Sequence, residues 1–185
     1  MIDVNELRKG TTFTIDGELF KVLEYQHHKP GRGKATIRTT IRNLRTGAIL
    51  HKNFISADRV QDVRVEGRMV QYLYRDGDFC HFMDLETYEQ PALPVSALGD
   101  DILYLMEGSE IKLIQLDGET IDYDLPTTVE MKVAATDMAV AGDTATGATK
   151  ELTLETGLKV RAPLFVNVGD VIRVDTRSGE YLSRA

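Results

Sequence analysis

Turn signals recur at short intervals along this 185-residue chain, and they restrict it to short strands. Each signal is a glycine that follows a residue common in turns or strand ends. They are Asp16-Gly17, Pro30-Gly31, Thr46-Gly47, Asp76-Gly77, Asp117-Gly118, Thr156-Gly157, Val168-Gly169 and Ser178-Gly179. The runs between them, such as Met69 to Tyr74 and Val129 to Val133, are rich in β-branched and aromatic residues. This pattern predicts an all-β protein made of small barrels, with one short helix over roughly Val95 to Met106.

Two boundaries divide the chain into three predicted domains. Charge composition changes near Val63-Arg64-Val65, and a proline interrupts strand pairing at Asp124-Leu125-Pro126-Thr127. The expected domains are residues 1–64, 65–126 and 127–185. Each has about 60 residues, which is small for an independent core, so docking between the barrels is expected to add stability.

Charge is distributed very unevenly over these domains. The whole chain has 22 Lys plus Arg against 29 Asp plus Glu, a net charge of −7, which by itself argues against nucleic-acid binding. Residues 1–64, however, carry +5, residues 65–126 carry −11 and residues 127–185 carry −1. The sequence therefore predicts that one end contacts RNA while the acidic middle is held away from it.

A basic loop lies at the centre of the positive region. No carboxylate occurs between Glu24 and Asp58, and the loop Lys29-Pro30-Gly31-Arg32-Gly33-Lys34-Ala35 lies between two alternating runs, Leu19 to Gln26 and Thr36 to Asn43. Pro30 and the two glycines favour a turn that exposes Arg32, whose planar guanidinium binds phosphates or stacks on bases. The spacing predicts a cationic hairpin tip that binds RNA; a simple solvated turn is the alternative.

Other classes of function find little support in the sequence. A phosphate-binding loop would need glycine at His28 and Ser or Thr at Ala35, and no other catalytic signature is present. Cys80 is the single cysteine and has no second ligand pair at metal spacing, so neither a metal nor a cofactor is expected. The sequence has no signal peptide and no apolar run long enough to span a membrane, which predicts a cytoplasmic protein.

Four segments together resemble bacterial elongation factor P over essentially the full chain. They are the loop Lys29 to Lys34, the segment Phe79 to Gln90, the triplet Gly142-Asp143-Thr144, and the run from Pro163 to Arg184. The resemblance implies an L-shaped molecule of three barrels with an outline similar to tRNA. The first barrel would be an SH3-like (KOW-type) domain with a basic hairpin tip, followed by an acidic central OB-fold domain and a C-terminal OB-fold domain.

The resemblance also implies function and partners. The family binds the ribosome, in contact with both subunits, next to peptidyl-tRNA, and relieves stalling at consecutive prolines. A non-catalytic protein is expected, because peptide-bond formation on the ribosome depends on substrate positioning. A tRNA-shaped particle that works in one slot suggests a monomer. The alternatives are a paralogue of the factor or another RNA-binding β-barrel protein, although constitutive ribosomal proteins are usually basic throughout.

Site residues follow from the same alignment. Arg32 matches the family's tip residue, often a modified lysine, and Lys29, Pro30, Gly31, Gly33 and Lys34 complete the tip at the tRNA acceptor end. A guanidinium is a poor nucleophile, so lysine-type modification should be absent; some family members glycosylate arginine here, which makes Arg32 a possible modification site. Contacts to the rRNA or tRNA backbone are expected from Arg38, Arg42 and Arg45. Gly142, Asp143 and Thr144 match a loop that approaches mRNA in the exit site.

Overall fold

A computed structural model describes residues 1–29, 35–137 and 148–185. Within these residues the chain is nearly all β-structure, and its strands form three sheets. The prediction of an all-β protein is therefore confirmed. The described residues contain no helix that is both long and apolar enough to cross a membrane.

The first sheet carries the basic region of the sequence. Its strands are β1 (Ile2–Asp3), β2 (Thr12–Ile15), β3 (Glu18–His28), β4 (Thr36–Asn43), β5 (Ile49–Ile55) and β6 (Arg59–Asp62), in the order β1-β6-β2-β3-β4-β5, with a 3₁₀ turn at Val4–Glu6. Buried residues on one face form its core: Val4, Leu7, Phe13, Phe20, Val22, Ile37, Ile41, Phe54 and Val60. The opposite face of β3, β4 and β5 is left for polar side chains.

The turn between β2 and β3 shows how the sequence sets strand register. Ile15 pairs with Glu18, which leaves Asp16 and Gly17 as a two-residue loop. Both have positive φ, 52° and 82°, as the tightest hairpin turn requires, and Asp-Gly is a favoured pair there. The turn signal in the sequence thus fixes the pairing that places Phe13 opposite Phe20 in the core.

The second sheet is built from the acidic middle of the chain. Its strands are β7 (Glu66–Asp76), β8 (Phe79–Asp84), β9 (Ala92–Pro94), β10 (Glu110–Leu116) and β11 (Glu119–Asp124), in the order β11-β10-β7-β8-β9. The helix expected here is confirmed in position but is shorter: α1 covers Val95–Leu98 and a 3₁₀ helix covers Gly99–Tyr104. Gly99, with φ of 55°, ends the α-helical turn.

The third sheet is built from the C-terminal part of the chain. Its strands are β12 (Thr128–Thr136), β13 (Thr149–Leu154), β14 (Lys159–Pro163), β15 (Val171–Asp175) and β16 (Tyr181–Arg184), in the order β14-β13-β12-β15-β16. Its core contains the alternating apolar residues of these strands, such as Val129, Met131 and Val133 on β12, with Tyr104 packed among them. Apolar residues alternate with polar ones along the strand, and the apolar residues are the buried ones.

Three turns in the described residues share one hydrogen-bonding pattern. Each of the three sheets contains one of these turns, which connects two of its neighbouring strands. They span residues 43–48, 84–89 and 175–180. In each, the side-chain oxygen of the first residue (Asn43, Asp84 or Asp175) accepts the backbone N–H of the third. The N–H of the fifth residue donates to the first carbonyl. The fifth residue has positive φ in all three turns, and it is glycine twice and Tyr88 once.

By proximity the chain divides into two compact units. One contains residues 1–67 and 113–123, and the other contains residues 68–112 and 124–185. The domain boundaries at 64/65 and 126/127 and the L-shaped outline stay predictions.

Candidate nucleic-acid interface

A bulge in β3 creates the exposed polar face of the first sheet. Val22 and Glu24 pair with consecutive residues of β4, so Leu23 is an extra residue without a partner. Before the bulge, Val22 points into the core. After it the alternation is reversed, so that Tyr25 packs against the core while Glu24 is exposed. After the bulge, the even-numbered residues of β3 therefore lie on the exposed face of the sheet.

Three cross-strand rows follow the bulge on this exposed face. From β3 through β4 to β5 they are Glu24, Thr40 and His51; then Gln26, Arg38 and Asn53; then His28, Thr36 and Ile55. All of these side chains are exposed except those of Thr36 and Thr40, which are half-buried. The rows end beside Lys29, and Glu24 is the one carboxylate among them. The face is thus rich in hydrogen-bonding groups and low in negative charge.

A fourth row lies before the bulge, and its two cations form ion pairs with a buried carboxylate. Lys21 and Arg42 are cross-strand partners. The Nζ of Lys21 lies 2.7 Å from Oδ2 of Asp122, and the Nη2 of Arg42 lies 2.6 Å from Oδ1. The Asp122 side chain is only 6% exposed, whereas that of Arg42 is 36% exposed. Arg42, expected to contact RNA, is therefore placed in an ion pair within the protein.

The structure also places three other residues from which RNA contacts are predicted. Lys29 is exposed directly after β3, and Arg38 is exposed in the middle of β4. Arg45 is exposed in the turn after β4, where its N–H bonds Oδ1 of Asn43. The predicted tip residues Pro30, Gly31, Arg32, Gly33 and Lys34, and the predicted mRNA-facing residues Gly142, Asp143 and Thr144, lie outside the described residues.

The pairing of Asp122 with the first sheet could not be found from the sequence. Asp122 is 101 residues from Lys21 and 80 from Arg42 along the chain. No motif links them, and an aspartate in a strand of the acidic middle segment looks like any other surface carboxylate. The long-range pairing of strands is what makes it a partner of two cations.

The single cysteine of the chain has an ordinary structural role. Cys80 is fully buried beside Tyr72, and burial raises the pKa of its thiol, which disfavours the reactive thiolate. Among the described residues, no group of three or more His, Cys, Asp or Glu side chains is arranged to hold a metal ion. The polar face of the first sheet is accordingly the candidate site.

Comparison with known proteins finds similarity along nearly the whole chain. A family model of the elongation factor P KOW-like domain matches residues 3–60, the elongation factor P OB domain matches residues 65–123, and the elongation factor P C-terminal domain matches residues 129–184. The predicted KOW-type and OB domains thus agree with the family models. Elongation factor P from Moorella thermoacetica is 47% identical over 185 residues, which is 100% of both chains.

A solved structure of another translation factor is also similar. The eukaryotic-type translation initiation factor 5A from Methanococcus jannaschii matches with a TM-score of 0.51 and 26% identity, over 68% of this chain and 90% of that one. An initiation factor 5A family protein from Naegleria fowleri matches with a TM-score of 0.40 and 19% identity, over 67% of this chain and 96% of that one.

Proposed function

Because the chain belongs to the elongation factor P family of translation factors, we propose that it binds the ribosome beside a peptidyl-tRNA and stimulates peptide-bond formation at consecutive prolines. The segment between β3 and β4, residues 29–34, would face the acceptor end of that tRNA. The protein would also contact both ribosomal subunits, and it would act as a monomer in the cytoplasm.

The arrangement of β3 and β4 supports this assignment most directly. The two strands stay paired as far as His28 and Thr36, so Lys29 lies at the far end of the exposed polar face. The next five residues add Arg32 and Lys34 and contain no carboxylate. Lys29 beside an exposed face with one carboxylate, followed in the sequence by two more cations, supports a contact with RNA phosphates.

The arginines along β4 would then have different roles. Arg38 is exposed and has no ion-pair partner among the described residues, and Arg45 is exposed in the following turn. Both are suited to contacts with the RNA backbone. Arg42 shares its charge with Asp122, so its contribution to RNA binding should be smaller than that of Arg38.

The mechanism requires no catalytic group on this protein. The ribosome holds both substrates, and the rigid ring of proline makes a reactive arrangement of them rarer. Cations placed against the acceptor end of the peptidyl-tRNA would restrict the unreactive arrangements. Arg32 suits this role because its guanidinium stays charged at neutral pH.

Two further parts of the proposal concern modification and mRNA. Arg32 stands where the family often has a modified lysine, and its guanidinium excludes the chemistry that attaches an amino acid to a lysine amine. Intact mass spectrometry of the native protein would detect a sugar at Arg32 as added mass, and a match to the mass of the bare sequence would exclude any modification. The loop with Gly142, Asp143 and Thr144 would approach mRNA in the exit site.

Translation of messages with proline repeats tests the proposed function. A reconstituted translation system would be supplied with a message encoding consecutive prolines and with a matched message encoding alanines in their place. The protein is expected to raise full-length product from the proline message and to leave the alanine message unchanged. An equal effect on both messages, or none on either, would contradict the proposal.

A further inference from the structure

A groove lies on the exposed face of the first sheet, over the two rows closest to the bulge. It is lined by Glu24, Gln26, Arg38, Thr39, Thr40, His51 and Asn53, and its volume is about 390 Å³. Sites for small organic ligands usually have about 300 to 1,000 Å³, so one nucleotide is of suitable size. The groove consists entirely of residues that the structure describes.

The groove contains hydrogen-bonding groups that the protein itself does not use. Thr39 donates to the carbonyl of Lys52, and Thr40 lies 3.2 Å from the Nδ1 of His51. By contrast, the side chains of Gln26, Arg38 and Asn53 have no hydrogen-bond partner among the described residues, although all three lie in one cross-strand row. Two amides and one guanidinium therefore face the same opening.

This set of groups fits an unpaired RNA base. Amides of Asn and Gln donate and accept at once, as the edge of a base requires, and they form paired hydrogen bonds with adenine in particular. A guanidinium between them can bind the phosphate of the same nucleotide. In double-stranded RNA the base edges of the deep groove are out of reach of side chains, and hydrogen bonds to base edges are made mostly with unpaired bases, so an unpaired base fits best. A protein partner is less well matched, since the groove offers no apolar pocket for an anchoring side chain.

We propose that this groove binds one unpaired nucleotide of RNA, with the amides of Gln26 and Asn53 on the base edge and the guanidinium of Arg38 on the phosphate. The inference rests on the proposed function only in taking RNA as the partner of this face. It assigns the groove residues of β3, β4 and β5, rather than the cationic segment between β3 and β4, to the recognition of a base. The groove opens on the row next to His28, so RNA that reaches it would pass close to Lys29.

Binding of short RNA hairpins to the full-length protein tests the inference. Two hairpins would be compared by fluorescence anisotropy, one with unpaired adenosines at its 3′ end and one with a blunt end. The hairpin with unpaired adenosines is expected to bind about tenfold more tightly. The double variant Gln26→Ala/Asn53→Ala should remove most of this difference while both hairpins keep their weaker, salt-dependent binding.

A matched control uses an amide outside the groove. Gln61→Ala changes an exposed glutamine on β6 of the same sheet and should leave the tenfold difference intact. Equal binding of the two hairpins by the wild-type protein, or an unchanged difference in a double variant with wild-type unfolding behaviour, would overturn the inference. The proline-repeat assay would still decide the proposed function, because it depends on the segment 29–34 rather than on Gln26 and Asn53.

Discussion

A buried carboxylate bound to two cations is the residue-scale feature that most affects both stability and site. Asp122 lies 2.7 Å from Lys21 and 2.6 Å from Arg42, on the same sheet face as the groove. Burial removes water from the carboxylate, and the two cations compensate for that loss. Without Asp122, two cations that are cross-strand partners would lose the counter-charge they share.

Removal of the Asp122 charge should destabilise the protein. Asp122→Asn keeps the size of the side chain but removes the charge that binds both Lys21 and Arg42, so the free energy of unfolding should fall by about 2 kcal/mol. Urea denaturation followed by circular dichroism measures this change. Glu119→Gln, an exposed change on the same strand, should alter it by less than about 0.5 kcal/mol. Equal effects of the two substitutions would show that the ion pairs add nothing.

A second residue-scale prediction concerns acid. The guanidinium of Arg177 bonds both oxygens of Asp175, at 3.1 and 2.7 Å, and with the Arg177 N–H it lowers the pKa of Asp175 to about 2. A lowered folded-state pKa stabilises the protein above the unfolded value of about 4, and that stabilisation is lost as pH falls toward about 2. Arg177→Ala should raise the pKa of Asp175, as measured by NMR titration. It should also lessen the loss of stability between about pH 4 and pH 2.

The sequence showed the charge of these residues but not their partners. Lys29 and Arg38, from which RNA contacts are predicted, are exposed, and those contacts stay predictions. Arg42 has the same character in sequence, yet the structure pairs it with a residue 80 positions away. Local pattern reports which face of a strand a side chain takes, whereas its partner across the fold depends on how distant strands come together.

At the scale of elements, the bulge at Leu23 and the shared six-residue turn organise the candidate site. The bulge reverses the alternation of β3, which puts Gln26 and His28 on the exposed face. The turn after β4 is closed by Asn43, which also donates to Glu18 and thereby holds the end of the hairpin. Together they set the direction in which β3 and β4 present their polar rows.

The same turn yields a stability prediction at Tyr88. Its φ of 60° is in the left-handed region that favours glycine, and Gly47 and Gly179 hold the equivalent positions. The Tyr88 side chain is 71% exposed, so its removal sacrifices little packing. Tyr88→Gly should therefore raise the free energy of unfolding by about 0.5 to 1 kcal/mol. A thermal or urea transition measures this.

The converse substitution serves as its control. Gly47→Ala introduces a side chain where φ is 74°, and it should lower the free energy of unfolding by about 1 kcal/mol. A loss of stability in Tyr88→Gly would indicate that the tyrosine ring makes contacts that outweigh its backbone strain.

Elements were predictable where a local signal specifies them. Asp16-Gly17 predicts a two-residue hairpin, and the two positive φ values show that the local chemistry determines the turn. The bulge carries no such signal, because Leu23 continues the apolar run of Phe20 to Leu23 and only pairing with β4 reveals it as the extra residue. The helix near Val95 was predicted at the correct place but too long. It is shorter because Gly99 ends its α-helical part.

At the scale of the whole molecule, charge follows the order of the three sheets. The first carries the positive region, with a net charge of +5 over residues 1–64, and residues 65–126 carry −11. Such a division favours RNA contact by the first sheet and disfavours it for the middle one. The spacing of turn signals was enough to predict an all-β fold. The family models, which cover residues 3–60, 65–123 and 129–184, connect them to translation.

The central claim is that the cationic segment between β3 and β4 promotes peptide-bond formation by the ribosome. The most direct measurement is the rate of proline–proline bond formation on purified ribosomes with wild-type protein and with Arg32→Ala, whose folding is checked by its unfolding transition. The account predicts that Arg32→Ala folds like the wild type and loses most of the stimulation. Full stimulation by a normally folded Arg32→Ala protein would contradict it.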